Sequence, residues 1–292
     1  MEGNPINWYP GHMAKAKRML EENLKLIDVV IELVDARAPQ STRNPDFDRL
    51  FRGKARVLLL NKSDLSDPAT NKRWIGYYKG KGIEAAEITA GAQNARTQTI
   101  RLIESATEAL VKRFEEKGAK KTVRALIAGI PNVGKSTLIN RIAGEKRAQT
   151  GDKPGVTKGK QWVKITPHLE LLDSPGLLWP KLGDDRIGEH LAYIGSINDE
   201  ILNIEELSAR LLSELKKLAP AALYERYKKL SADTPDEALL EGVAKSRGFI
   251  LKGGVYDTER AARIVLDEFR AGKIARVSLE RPPKEENDGE AE

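Results

Sequence analysis

The sequence predicts an α/β protein: a mostly parallel, doubly wound sheet followed by an all-helical domain. Three observations predict it. Short and almost wholly apolar runs, such as 28–34 (DVVIELV), 55–60 and 124–128, read as strands covered on both faces. Helical patterns stand between those runs, which calls for parallel strands joined by crossover helices. From Gly183 onward the strand runs give way to amphipathic helical patterns.

The elements follow in order. A basic helix over 14–26 comes after the aromatic segment Trp8-Tyr9-Pro10-Gly11-His12, and the strand over 28–34 runs into Asp35-Ala36-Arg37. A strand over 55–60 ends at Asn61-Lys62-Ser63-Asp64. A helix closes over 74–80, and a short strand over 85–88 leads to Thr89-Ala90-Gly91. Residues 97–116 repeat apolar side chains at close to the helical period: Ile100, Ile103, Thr107, Leu110, Val111 and Phe114. A strand over 124–128 precedes a glycine-containing turn and a helix from Ser136 to 143, and 162–165 with 169–172 form a hairpin pair. Farther on, 204–218 is an amphipathic helix. Thr234-Pro235-Asp236-Glu237 predicts a helix start, with a cap, a proline at the first position and an acid at the third. Ala261, Ile264, Val265 and Phe269 share one face of a helix over 258–270 that stops at Gly272, and a short extended segment follows over 276–279. The expected organisation is a first domain over 1–182, a helical domain over 183–279 and an acidic, disordered tail over 280–292.

Composition narrows the chemistry. The chain has 292 residues and no cysteine, which excludes a disulfide scaffold, thiolate metal ligation and a cysteine nucleophile. Its first residues hold no basic region followed by an apolar core, and its apolar runs are strand-sized, so the reading has no membrane partner and points to the cytoplasm. The net charge of +6 is uneven. Residues 280–292 carry six acidic and two basic side chains, which leaves +10 on 1–279. Thirteen Lys/Arg face four Asp/Glu within 112–160, a balance that suits a polyanion such as RNA and equally a solubilising face.

The sharpest motif is Gly129-Ile130-Pro131-Asn132-Val133-Gly134-Lys135-Ser136, a GxxxxGKS phosphate loop placed after a strand and before a helix. Its glycines let backbone N–H groups converge on phosphate oxygens, and the helix amino end adds favourable polarity. Gly129, Pro131, Asn132, Val133, Gly134, Lys135, Ser136 and Thr137 are the expected phosphate-binding residues. Lys135 can reach the β- and γ-phosphates and Ser136 can ligate Mg2+. Asp173-Ser174-Pro175-Gly176 begins 37 residues after Ser136. Asp173 at a strand's carboxyl end can bind Mg2+ through water, and the Gly176 N–H can meet the γ-phosphate. Thr157, between these motifs, suits a segment that completes the metal shell when a triphosphate is bound.

Asn61-Lys62-Ser63-Asp64 supplies base selectivity. Guanine presents a ring N–H and an amine side by side, and one carboxylate accepts both, whereas adenine would leave Asp64 unpaired. Asn61 can tie the loops together, Lys62 can lie over the base, and the Thr89-Ala90-Gly91 turn, represented by Thr89 and Ala90, can add a backbone contact to the base oxygen.

With these motifs in hand, the sequence resembles the translation-factor-type GTPases in permuted order: the guanine motif precedes the phosphate loop instead of following it. The opening Trp8-Tyr9-Pro10-Gly11-His12-Met13, the Asp35-Ala36-Arg37 motif and the length resemble the bacterial ribosome biogenesis GTPase A family among the circularly permuted GTPases. The resemblance covers about residues 5–280. It implies a circularly permuted P-loop G domain with a C-terminal helical domain that contacts ribosomal RNA. It also implies GTP hydrolysis to GDP with Mg2+, stimulated by the large (50S) ribosomal subunit precursor during late assembly. The remaining expected partners are rRNA and ribosomal proteins, and the free chain is expected to be a monomer.

Leu177 stands where small GTPases carry a water-orienting glutamine, so another group must organise attack. The resemblance points to His12, which could position water or contact RNA. Asn132 matches GTPases that place K+ beside the phosphates, and Arg37 could serve structure, RNA or the site. Lys217, Arg226, Lys228, Lys229, Lys245 and Arg247 are candidate RNA contacts. Two rival readings stand beside the assembly factor: a nucleotide-regulated RNA-binding module with incidental hydrolysis, and an ATPase, against which Asp64 argues.

Overall fold

Among the residues that the computed structural model describes (11–144, 162–173, 185–197 and 203–283), six strands form one sheet. They are β1 (Val29–Asp35), β2 (Ala55–Asn61), β3 (Glu84–Glu87), β4 (Val123–Ala128), β5 (Trp162–Thr166) and β6 (Leu169–Asp173), in the order β3-β2-β1-β4-β6-β5. All neighbours pair in parallel except the β5–β6 hairpin at the edge.

The central strand β1 is buried at every position, as its mostly apolar run requires. Its side chains divide between two layers, because successive side chains of a strand point to opposite faces. Val29, Ile31 and Leu33 join one apolar cluster with Ile103 of α4 (Ala95–Glu115) and Leu138, Ile139 and Ile142 of α5 (Lys135–Ala143). On the other face, Val30 packs with Leu20 and Leu24 of α1 (Gly11–Leu24) and with Phe47 of α2 (Asp46–Leu50). Val34 packs there with Trp74 and Tyr78 of α3 (Pro68–Gly80). Glu32 and the terminal Asp35 are its polar exceptions, and Glu32 receives Arg43 Nε at 3.0 Å and Arg56 Nη2 at 2.6 Å.

The helical part comprises α6 (Asp185–Tyr193), α7 (Ile204–Leu218), α8 (Pro220–Arg226), α9 (Leu239–Arg247) and α10 (Thr258–Arg270). Leu207, Leu211 and Leu215 of α7 and Ala261, Val265 and Phe269 of α10 bury their common face, while Ile264 stays half-exposed. One expectation is corrected. Thr234 caps no helix; its Oγ1 accepts from Ser231 N at 2.9 Å, and a single 3₁₀ turn over Asp236–Ala238 precedes α9. The local turn bond outcompetes the cap, a general habit of threonine.

The two parts meet through one continuous apolar cluster that includes Ile130 and Val133 beside Leu191, Tyr193 and Ile197. After α10 the chain crosses back over the sheet domain in extended form. Glu280, expected to open the tail, is anchored instead: its carboxylate accepts from Gln40 N at 2.7 Å, from Ser41 N at 3.1 Å and from Ser41 Oγ.

Candidate nucleotide site

From β1 the chain runs outward through β2 and β3, then returns to β4 on the other side of β1. That reversal opens a crevice at the carboxyl ends of β1 and β4, where an open α/β sheet places its ligand. The loops after β1, β2 and β4 meet there.

The phosphate-loop sequence occupies the turn from β4 to α5. Its two motif glycines are required by space. A Cβ on Gly129 would fall 2.6 Å from Leu33 O, and one on Gly134, whose φ is +103°, would fall 2.3 Å from Asn61 Nδ2. Lys135 is buried and its Nζ donates to Ile130 O at 2.6 Å, arching back over its own loop. Ser136 and Thr137 lie in the first turn of α5, where unpaired N–H groups and the helix dipole favour an anion.

Asn61, the last residue of β2, joins the loops. Its Nδ2 donates to Val133 O at 2.8 Å, and its Oδ1 accepts from Ala90 N at 2.9 Å. The Ala90 N–H, expected to serve the base, is therefore turned to Asn61. Lys62 Nζ donates to Asn132 O at 3.1 Å and lies 3.0 Å from Asp35 Oδ2. Lys62 and Asn132 both hold positive φ, 58° and 59°, the only non-glycine residues to do so among those described. Such backbone strain persists where surrounding contacts over-determine it. Asp64 is exposed, and its Oδ1 accepts from Thr89 Oγ1 at 3.1 Å.

Asp35 and Arg37 form a fully buried pair, with Arg37 Nε and Nη2 at 2.9 and 2.8 Å from the two carboxylate oxygens. Burial alone would raise the Asp35 pKa, but Arg37 and Lys62 prevail and hold it well below the usual carboxylate range. Arg37 also spans to the helical part, with Nη1 3.5 Å from Phe269 O and its guanidinium 5.3 Å from the Phe269 ring centroid. The turn that follows α6 touches the phosphate loop directly: Asn132 Nδ2 donates to Gly195 O at 2.8 Å and Ser196 Oγ to Pro131 O at 3.1 Å.

The structure thus brings Asn61, Lys62, Asp64, Thr89, Ala90 and residues 129–137 to one crevice. Thr157, Gly176 and the side chains of His12 and Asp173 lie outside the described residues. The candidate RNA residues divide. Arg226 and Arg247 both bind Glu268, at 2.5 and 2.7 Å, and Tyr227 Oη donates to the same carboxylate at 2.8 Å. Lys245, Lys217, Lys228 and Lys229 are all exposed, and Lys245 also pairs with Glu241 at 2.7 Å.

Comparison with known proteins places this geometry. Residues 124–230 match the family model described as 50S ribosome-binding GTPase. A Ribosome biogenesis GTPase A from Priestia megaterium is 45% identical over 286 residues, 96% of this chain and 98% of that protein. The chain belongs to the ribosome biogenesis GTPase A family. A second member, from Bacillus cereus, is 45% identical over 282 residues, 95% of this chain and 94% of its own. Two solved structures share the fold. The GDP-bound TM YlqF has a TM-score of 0.67 at 28% identity, covering 91% of this chain and 99% of that one. The GNP-bound YlqF from T. maritima has a TM-score of 0.65 at 29% identity, covering 92% and 98%. The permuted G domain and the C-terminal helical region are therefore features of the family.

Two contributors escaped sequence reading: Asp35 as the partner of Lys62, and the Gly195–Ser196 turn on the phosphate loop. An aspartate ending the strand beside the phosphate-loop strand was a usable signal for the first. Nothing local marks the second, because one contact goes to the Gly195 carbonyl and the other comes from a lone serine hydroxyl more than 60 residues from its acceptor.

Proposed function

We propose that this chain is a GTP-hydrolysing assembly factor that binds the large ribosomal subunit precursor in the cytoplasm and promotes its late maturation. The observation that carries the reading is the junction at Asn61, which binds the guanine-type loop, the Thr89–Gly91 turn and the phosphate loop into one site. Family membership supplies the ribosomal setting, and the relatives named above are ribosome biogenesis GTPases. Among the described residues no helix is long and apolar enough to cross a membrane.

In this reading Asp64 accepts the two adjacent donors of guanine, Lys62 covers the base, and the base oxygen falls to Gly91, the next amide after Ala90. Gly129, Pro131, Asn132, Val133, Gly134, Ser136 and Thr137 cradle the phosphates, and Lys135 exchanges Ile130 O for phosphate oxygens. The site fits a magnesium nucleotide: the space beside Gly129 and Gly134 admits no side chain, and Ser136 presents a hydroxyl at a helix amino end. Asp173 stands opposite Ile127 on the neighbouring strand. Ser136, Thr157 and Asp173 would hold Mg2+, which offsets the charge of the transferred phosphoryl group. His12 positions the attacking water and Gly176 binds the γ-phosphate; Asn132 would help hold a K+ ion, which would supply positive charge beside the phosphates in place of an arginine finger. Lys217, Lys228 and Lys229 contact RNA.

The deciding experiment is a reconstituted GTPase assay with mature and immature large subunits, in KCl and in NaCl, beside depletion of the protein in cells. Stimulation by the immature subunit together with accumulation of immature particles is expected. Hydrolysis indifferent to the subunit, with normal particles after depletion, would leave the RNA-binding module with incidental hydrolysis.

A further inference from the structure

The loop that carries Asp64 is held from behind by the far end of the chain. Arg276 Nη2 donates to Ser63 O at 3.0 Å, Val277 N to Leu65 O at 3.2 Å, and Asp67 N to Ser278 Oγ at 3.2 Å. Leu279 N then donates to Arg37 O at 2.8 Å. Three consecutive residues thus bracket Asp64 on both sides, and the fourth ties the segment to Arg37. Val277 and Leu279 are buried, and Gly272 approaches so closely that a Cβ there would fall 2.6 Å from Leu65 Cδ2. Beyond them Trp74 Nε1 donates to Glu280 O at 3.3 Å, and the Glu280 carboxylate is fastened to Gln40 and Ser41.

On its inner side the base-reading loop is tied to the neighbouring turn, with Ser63 N donating to Ile88 O at 3.2 Å and Thr89 Oγ1 to Asp64 Oδ1 at 3.1 Å; residues 276–278 hold its outer side. Ser63–Leu65 is one 3₁₀ turn that follows a left-handed Lys62, and Asp64 itself is exposed. A carboxylate that must accept two parallel N–H bonds loses them steeply when it is misaligned. Such a side chain is accurate only if the backbone under it is supported.

We propose that residues 276–279 are a positioning strap for the base-reading loop, so that discrimination among purine nucleotides depends on the C-terminal segment. The inference rests on the reading that Asp64 accepts from guanine. No strap residue touches the nucleotide in this proposal; each acts through Ser63, Leu65, Asp67 or Arg37.

The test compares GTP with inosine triphosphate, which keeps the ring N–H and lacks the exocyclic amine. The full-length chain is expected to prefer GTP by about 10- to 100-fold, the value of one hydrogen bond to a charged acceptor. The combined substitution R276A/S278A, which removes one donor and one acceptor without touching buried apolar residues, should lower that ratio by roughly threefold or more. R276K should restore part of it. Both affinities are measured on the same folded population, so partial unfolding cancels from the ratio. A ratio within about twofold of the parent in R276A/S278A overturns the strap. D64A separates the two readings. If it abolishes discrimination while R276A/S278A does not, the strap alone is wrong. If D64A keeps the parent ratio, the guanine reading fails and the strap with it.

Discussion

Asp35 Oδ2 lies 3.0 Å from the Lys62 ammonium, while the same fully buried carboxylate holds both Nε and Nη2 of Arg37. One side chain therefore serves the nucleotide loop and the interface with the helical part. Asp35→Asn should cost about 3–5 kcal/mol of stability, because it strands the buried Arg37 charge, and should also weaken GDP binding by freeing Lys62. Combining it with Arg37→Met should recover most of the stability and none of the GDP affinity. Urea unfolding and nucleotide titration on the two variants check both halves; joint recovery would mean that Lys62 needs no anchor. The Asp35 pKa is depressed on folding, so its stabilisation is complete above the ordinary carboxylate value and is lost only as pH falls through the folded one.

His190 carries the opposite pH signature. Its Nδ1 lies 3.0 Å from Glu280 Oε1 and its Nε2 lies 3.5 Å from Glu214 Oε1. Burial opposes the charged ring, but the two carboxylates prevail and push its pKa up to about 9 from 6.5. A raised folded pKa contributes stability that is full below 6.5 and disappears as pH rises through about 9. The expected loss over that window is on the order of 3 kcal/mol. Chemical denaturation at pH 6.5, 8 and 9.5 should show it, and His190→Gln should flatten the profile while lowering its acid end. A parent profile that stays level across the window would refute the assignment.

Asn61→Ala removes two of the bonds that join three loops, leaving Val133 O and Ala90 N unpaired. Each orphaned buried group costs about 1–3 kcal/mol, so GTP and GDP affinities should both fall by more than about tenfold. Gly134→Ala should abolish nucleotide binding, since its new methyl meets Asn61 and its φ suits glycine. Combining Gly134→Ala with Asn61→Ala removes the clash and keeps the backbone strain, so binding should stay lost. Isothermal titration with GDP reads all three variants; wild-type affinity in Asn61→Ala would show that the loops hold each other without it.

Much of this site was legible because its parts are local. A phosphate loop declares itself through glycines that must lie between a strand and a helix, and the strands around it alternate with helices in a way that only a parallel sheet explains. Even the face assignment of Val29, Val30, Ile31 and Leu33 follows from strand periodicity. Contacts between distant segments left no such trace. Residues 276–279 act through the side chains of Arg276 and Ser278 and the amides of Val277 and Leu279, but on groups more than 200 residues away, so no local pattern marks them. Glu280 read as the start of a charged tail because its partners, Ser41 and His190, are far away in sequence. Thr234 failed as a cap for the same physical reason that makes threonine a good one: its hydroxyl accepts from whichever nearby N–H the chain folds past it.

The basic residues of the helical part separate into two classes with different expected phenotypes. Arg226 and Arg247 neutralise Glu268, which also accepts from Tyr227 Oη, so the guanidiniums hold α8, α9 and α10 together. Arg247→Ala should destabilise the fold, and its effect on RNA binding should track the fraction unfolded. Lys228 and Lys229 are exposed, just beyond α8, and their charge is available to phosphates. Lys228→Glu with Lys229→Glu should leave the unfolding midpoint within about 0.5 kcal/mol of the parent, the usual scale for surface changes. It should weaken binding to ribosomal RNA, and the slope of log affinity against log salt should shrink by about 0.7 to 0.9 for each phosphate that is no longer neutralised. Filter binding over a salt series, paired with thermal unfolding, distinguishes the classes. An unchanged salt slope in the double lysine variant would assign the RNA surface to another face of the molecule.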